Sequence, residues 1–226
     1  MGVRYSAGRR QMRAQVLSQS PVVNAVPLRS DDDEVKLIGV ARVFGRDQEV
    51  FGEGEPAESV YKVVTGAVRL FKVLADGRRQ ISEFYLPGDV FGIEAGPDRR
   101  ATAEALCETT LIVARRSGLS GDDQSVKLWR LALGELQRAH EHGLTLGRRA
   151  AGERVASFLM DLAERTGQGR MLELPMSRQD MADYLGLTIE TVSRTMTQLQ
   201  ADELIEITAC RSVRLADRQA LDDMRQ

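Results

Sequence analysis

Four side chains near the C-terminal end of the chain are spaced to present one chemical face. Glu190, Ser193, Arg194 and Thr197 recur at steps of three, one and three, so on a helix they share one side. A carboxylate, a guanidinium and two hydroxyls are groups that read base edges in a DNA major groove. The guanidinium fork suits guanine, and a carboxylate suits the amine of cytosine. Behind that face, Ile189, Val192, Met196 and Leu199 recur at steps of three, four and three and predict one apolar stripe.

Such a face works only if something holds it out. The preceding segment supplies a candidate support. It opens at Arg178, and Met181, Ala182 and Leu185 repeat with helical spacing. Gly186 stands where a tight turn wants positive φ. Thr188 is placed to cap the second helix, followed by Thr191 in its first turn. Two amphipathic helices could simply pack together. The small Ala182, Gly186 and Val192, at steps of four and six, favour the close approach that a helix-turn-helix requires.

The rest of the chain divides by texture. From about Leu28 to Arg116, glycines punctuate short alternating runs: Val60–Val64, Ala67–Val73, Ile81–Leu86 and Thr109–Ala114. Asp76-Gly77 between two of them predicts a hairpin, and the whole predicts a barrel, sandwich or β-roll. From about Gly121 to Phe158 the period becomes helical, with Leu128, Leu131, Leu136 and Leu144 among charged residues and a break expected near Gly143, Gly147 or Gly152. After the helix-turn-helix, Leu204–Ile207 and Val213–Leu215 predict a hairpin with its tip at 208–212, a wing. Residues 1–27 hold Arg4, Arg9, Arg10 and Arg13 and no acid; they read as a disordered tail. Asp31-Asp32-Asp33-Glu34 reads as a solvated lead-in.

Composition bounds the function. The 226 residues, 42% hydrophobic and 28% charged, allow two globular domains. No run is long and apolar enough for a membrane span, and no signal peptide is visible, so a cytoplasmic protein without membrane attachment is expected. No phosphate-binding glycine loop, nucleophile elbow or His/Cys metal cluster appears, so neither an enzyme nor a metal protein is expected. The net charge of −2, with 11 Arg and Lys against 13 Asp and Glu from Arg148 onward, runs against a simple basic DNA binder. Affinity would have to come from local patches.

The order of these segments resembles the CRP/FNR superfamily of transcription regulators over residues 28–226. The resemblance rests on Gly54-Glu55, Tyr61-Lys62-Val63-Val64-Thr65-Gly66 and Leu86-Pro87-Gly88-Asp89-Val90-Phe91-Gly92. It rests too on Glu190-Thr191-Val192-Ser193-Arg194, the Glu-x-x-Ser-Arg pattern of the FNR branch. With Ser177-Arg178-Gln179-Asp180 and Tyr184–Arg194, the chain is most similar to the FixK group. The implied fold is α+β: a cyclic-nucleotide-binding-like β-roll at 28–118, a dimerisation helix at 119–149 and a winged helix-turn-helix at 150–226.

The resemblance also implies a homodimer on palindromic promoter DNA with TTGA-like half-sites. Arg194 would meet guanine and Glu190 cytosine, Ser193 with Ile189 would meet the thymine end, and Arg178, Thr188, Thr191 and Thr197 would lie at the DNA. RNA polymerase would be a partner, with 165–170 as the contact loop. Target genes would serve low-oxygen respiration or nitrogen fixation.

Departures from the family narrow the control. With two cysteines in all, Cys107 and Cys210, the four-thiolate iron–sulfur cluster of FNR is excluded. Where cyclic-AMP receptors carry Gly-Glu and Arg-Ser, this chain has Gly92-Ile93-Glu94 and Arg99-Arg100-Ala101-Thr102, and a shortened loop is expected to shrink the pocket. No cofactor is therefore expected. Cys107 reads as a buried core residue. Cys210, near Arg211 and Arg214 at the wing tip, is the candidate redox thiol. His140 and His142 diverge on a helix and read as solvated or interface residues. Effector-gated regulation through haem or a nucleotide, and a nucleotide-binding module that does not bind DNA, are the alternatives.

Overall fold

The computed structural model describes residues 37–119, 122–148 and 150–225. The basic tail 1–27 and the acidic run 31–34 lie outside them. The N-terminal half is two four-stranded antiparallel sheets, ordered β1-β8-β3-β6 and β2-β7-β4-β5. The strands are β1 (Val40–Phe44), β2 (Glu49–Phe51), β3 (Ser59–Thr65), β4 (Val68–Val73), β5 (Arg79–Tyr85), β6 (Val90–Phe91), β7 (Thr102–Ala105) and β8 (Thr109–Arg115). Alternation puts Phe51, Val63, Val68, Phe91, Ala103 and Leu111 between the sheets. Tyr85 and Phe91 stack there with ring centroids 4.7 Å apart.

Local chemistry shapes the turns. The β4–β5 hairpin closes at Asp76-Gly77, where Gly77 has φ +82° and the Asp76 carboxylate accepts from the Arg78 backbone N–H at 3.0 Å. Gly66, between β3 and β4, has φ +83°, and a Cβ there would lie 2.4 Å from Thr109 Oγ1. That close approach admits no side chain.

Helix α1 (Asp122–Arg148) runs 27 residues and α2 follows at Ala151–Thr166. The break falls between Gly147 and Gly152, near the glycines where it is expected. Ala150 is extended, and the Glu153 carboxylate accepts its backbone N–H at 3.0 Å, which starts α2 there. The remainder is β9 (Met171–Glu173), α3 (Arg178–Leu185), α4 (Ile189–Ala201), β10 (Ile205–Ala209), β11 (Ser212–Leu215) and α5 (Arg218–Asp223). Strands β10, β11 and β9 form a small antiparallel sheet. The wing strands run further than expected, because Ala209 pairs with Ser212 and leaves Cys210 and Arg211 as the tip.

Helix α1 has two faces. On the inner one, Tyr85 Oη donates to Glu135 at 3.2 Å and Arg138 meets Glu83 at 3.3 Å. On the outer one, Val126, Trp129, Leu133 and Leu136 are exposed, Trp129 by 66%. Their steps of three, four and three make a coiled-coil seam. Leu128 and Leu131 are partly exposed, and the seam falls instead on Val126, Trp129 and Leu133 with Leu136.

One apolar core runs from the outside of the β4–β5 sheet into the C-terminal half. It joins Phe71, Ile81 and Phe84 to Val155, Leu159, Met181, Val192 and Met196. The reading motif is thus mounted directly on the roll.

Candidate nucleic-acid interface

Helix α3 starts from Ser177, whose hydroxyl accepts the Asp180 backbone N–H at 3.0 Å while the Asp180 carboxylate accepts the Ser177 N–H at 2.9 Å. This reciprocal pair is a capping box. Helix α3 ends on Gly186 at φ +62°, ψ +38°, the left-handed turn expected of it. Helix α4 starts from Thr188, whose hydroxyl accepts the Thr191 N–H at 3.2 Å. Met181, Ala182 and Leu185 are buried against Val192, Met196 and Leu199.

With that support below, Glu190, Ser193, Arg194 and Thr197 are exposed on the far side of α4. The Glu190 carboxyl is held below its ordinary range by its own backbone N–H, by the Thr188 hydroxyl and by Arg194 nearby, so it is an anion at neutral pH. Thr197 donates to Ser193 O at 3.1 Å and keeps its lone pairs outward. Ile189, expected in the apolar stripe, is 37% exposed. It opens the helix one turn before the core begins at Val192 and stands with the reading face instead. Thr188 and Thr191 share a hydroxyl contact of 3.1 Å.

Arg178 sits apart from this face. It is half-buried, with Nη1 3.3 Å from Met181 Sδ, and burial pushes its pKa down, opposed by Cys210. Cys210 is exposed at the wing tip. Arg211 and Arg214, expected beside the thiol, donate instead to Pro175 O at 3.2 Å and to Glu206 at 2.6 Å. Cys107 is half-buried rather than a core residue; it sits in the turn between β7 and β8, with Sγ 3.9 Å from Thr109 Oγ1.

The excess of acids in this half is largely spent on pairing. Asp180 and Asp183 face roll arginines, Glu206 faces Arg214 and Glu164 faces Arg225. Asp180 was overlooked as a functional candidate. Its Ser-x-x-Asp spacing signals a cap, but its arginine partners lie about a hundred residues away and leave no local sign.

Two other expected features change. Arg165 belongs to α2, not to the loop, and is turned inward. It reaches Phe84 O at 2.6 Å, Asp89 at 2.9 Å and Glu83 at 3.2 Å. In the β-roll, Leu70, Lys72, Ile93, Glu94, Arg100 and Glu135 line an open cleft of about 510 Å³. What changes is the grip. Arg99 is 3% exposed, donates to Gly92 O at 2.6 Å and to Ser59 O, and lies 4.1 Å over the Phe51 ring. Its guanidinium serves the roll's own backbone. Among the described residues, no group of three His, Cys, Asp or Glu is placed to hold a metal ion, and no helix is long and apolar enough to cross a membrane.

Comparison with known proteins agrees with this architecture. The Crp-like helix-turn-helix domain matches residues 153–224, and the cyclic nucleotide-binding domain matches residues 41–121. The nitrogen fixation regulation protein FixK of Azorhizobium caulinodans is 50% identical over 197 residues, 83% of this chain and 79% of that one. Its namesake from Rhizobium meliloti is 48% identical over 174 residues, 77% of this chain and 82% of that one. The solved structure of FixK2 from Bradyrhizobium japonicum superposes with a TM-score of 0.81 at 46% identity, covering 84% of this chain and 98% of the other. A β-roll, a long helix and a winged reading head, shared with such relatives along most of their length, place the chain in the FixK group of the CRP/FNR family of transcription regulators.

Proposed function

We propose that this FixK-type regulator is a cytoplasmic, non-enzymatic activator that reads palindromic promoter DNA as a homodimer. The observation that carries this reading is the exposed Glu190, Ser193 and Arg194 face on a helix capped and buried behind it. Arg194 takes guanine O6 and N7, Glu190 accepts from cytosine N4, and Ser193 with Ile189 meets the thymine end of a TTGA-like half-site. Thr188, Thr191 and Thr197 flank them at the backbone. Arg178 braces the first helix near the wing, within reach of a neighbouring phosphate.

The seam of Val126, Trp129, Leu133 and Leu136 supports the dimer, since it leaves apolar side chains in water in a single copy. A second copy covering it sets two recognition helices one DNA turn apart. With Arg165 turned inward, the polymerase-facing loop narrows to Gly167–Arg170, which is exposed. Relatives named for nitrogen fixation regulation support target genes for nitrogen fixation; genes for low-oxygen respiration rest on the family resemblance alone.

Footprinting on genomic fragments, in oxidising and reducing buffer, tests the reading. Protection of symmetric TTGA-like sites supports it, and its absence on every fragment rejects it. A difference between the buffers that Cys210→Ser abolishes and Cys107→Ser does not would assign a regulatory role to Cys210. The open cleft with Arg100 favours a second reading, an effector-gated regulator. Heat on titration with cyclic AMP, or a haem absorption band, would select it.

A further inference from the structure

The first helix of the reading motif is bolted to the β-roll through carboxylates, chiefly the buried one of Asp180. Arg69 of β4 donates Nη1 to Asp180 Oδ1 at 3.0 Å, and Arg79 of β5 donates Nη2 to the same oxygen at 2.7 Å. Arg79 also reaches Asp183 at 2.8 Å, and Gln80 donates to Asp183 O at 2.8 Å. Arg69 is itself braced by Glu104 at 2.6 Å and by Asp47 at 3.0 Å. The Asp180 side chain is 4% exposed.

A cap does not require this. The capping box uses Asp180 Oδ2, which accepts from Ser177 N and Oγ at 2.9 and 2.6 Å. Oδ1 is spent wholly on the roll. Apolar contact between the two halves already supplies adhesion, and it tolerates sliding. Charge-assisted hydrogen bonds from planar guanidinium groups are directional and fix an angle. Helix α3 passes that angle on, because three residues separate it from α4 and the two share a core.

We infer that Asp180 is a positioning residue for the recognition helix: held by Arg69 and Arg79, it sets the angle at which the reading face is presented. This rests on the DNA-reading function proposed above. The protein then keeps its reading orientation through its own side chains, with the β-roll as a rigid mount.

The test uses full-length Arg69→Gln and Arg79→Gln, which leave the Ser177–Asp180 cap intact, with Arg79→Lys as the conservative control. Affinity is measured for palindromes whose half-sites are spaced as in the native site or one base pair longer or shorter. The parent should prefer the native spacing. In the Gln variants that preference should fall about tenfold, in the range of ordinary intersite coupling, while preference for the TTGA bases is retained. Arg79→Lys should restore most of it. Unchanged spacing preference, or tighter binding at native spacing, overturns the inference.

A second readout needs no DNA. With Cys107→Ser, a nitroxide on exposed Cys210 of each copy reports the wing-to-wing distance. The distribution should be narrow in the parent and broad in the Gln variants; equal widths also overturn the inference. A parent that binds no palindrome yet keeps a narrow distribution that broadens in the Gln variants refutes the DNA reading and leaves the positioning contact standing.

Discussion

His142 on the long helix and Tyr184 on the first helix of the reading motif stack with ring centroids 4.0 Å apart and planes 18° from parallel. The pair joins the proposed dimer helix to the reading head. His142 Nε2 is buried with no hydrogen-bond partner among the described residues. Its companion His140 points to solvent, so the two histidines diverge as their spacing predicts.

That burial gives the contact a pH dependence. Desolvation lowers the His142 pKa from its ordinary 6.5, so the folded protein favours the neutral ring. The unfolded chain takes up the proton first as pH falls. The stability contribution is therefore complete above about pH 6.5 and is lost as pH falls towards the depressed folded value. The surrounding cavity, about 210 Å³, also presents Glu83, Arg138, Glu141, Arg154, Asp161 and Arg165. Comparison with His142→Phe isolates the imidazole while keeping a stacked ring. The parent should lose more melting temperature between pH 7.5 and pH 5.5 than the Phe variant. Parallel losses would show that the ring does not report pH.

Arg165 predicts a large stability effect. Burial alone would lower its pKa, but Glu83, Asp89 and Asp161 together raise it. Its side chain is 18% exposed. Arg165→Met would leave Asp89 without its guanidinium partner and Glu83 with Arg138 alone, at a cost of up to about 3–5 kcal/mol in denaturant unfolding. A loss below about 1 kcal/mol, the size of a surface pair, would mean that these carboxylates are hydrated.

Much of this could be read from local pattern. The cap at Thr188, the positive φ at Gly186, the Asp76-Gly77 hairpin and the burial of Val192, Met196 and Leu199 each follow from chemistry within a few residues. What stayed hidden depends on partners distant in the chain. Nothing near Asp180 announces Arg69, 111 residues away, and nothing near Arg165 announces Glu83. Arg99 stands beside Arg100 and Ala101 in the stretch that corresponds to the nucleotide grip of cyclic-AMP receptors. Its satisfaction by Gly92 O and Ser59 O is a property of the folded roll. Arg165 looked like a loop residue because helix ends blur by a residue or two.

The seam of α1 predicts that dimer formation and DNA affinity fail together. Leu136 is 66% exposed in the single copy, and Leu136→Glu puts a charge on the seam. Sedimentation should show a monomer, and affinity for the palindrome should fall by at least about a hundredfold, the loss expected when two linked half-site contacts become one. The roll and winged head, judged by circular dichroism, should be unchanged. A variant that remains dimeric at micromolar concentration would place the dimer contact elsewhere.

Arg194 carries the sharpest prediction, because it concerns one base pair. The guanidinium is exposed on the face of α4 opposite Val192 and Met196 and lies near the Glu190 carboxylate. A fork so placed makes two parallel hydrogen bonds to guanine and none so good to another base. Arg194→Ala should cost about 1–3 kcal/mol per half-site and flatten preference at the guanine position alone. Arg194→Lys should keep attraction to phosphate but lose most of the base preference, since an ammonium offers no planar fork. Binding of a library of half-site variants at fixed salt reads both effects. Equal loss across all sequences would make Arg194 a phosphate contact, and retained preference for guanine would move the reading of that base to another residue.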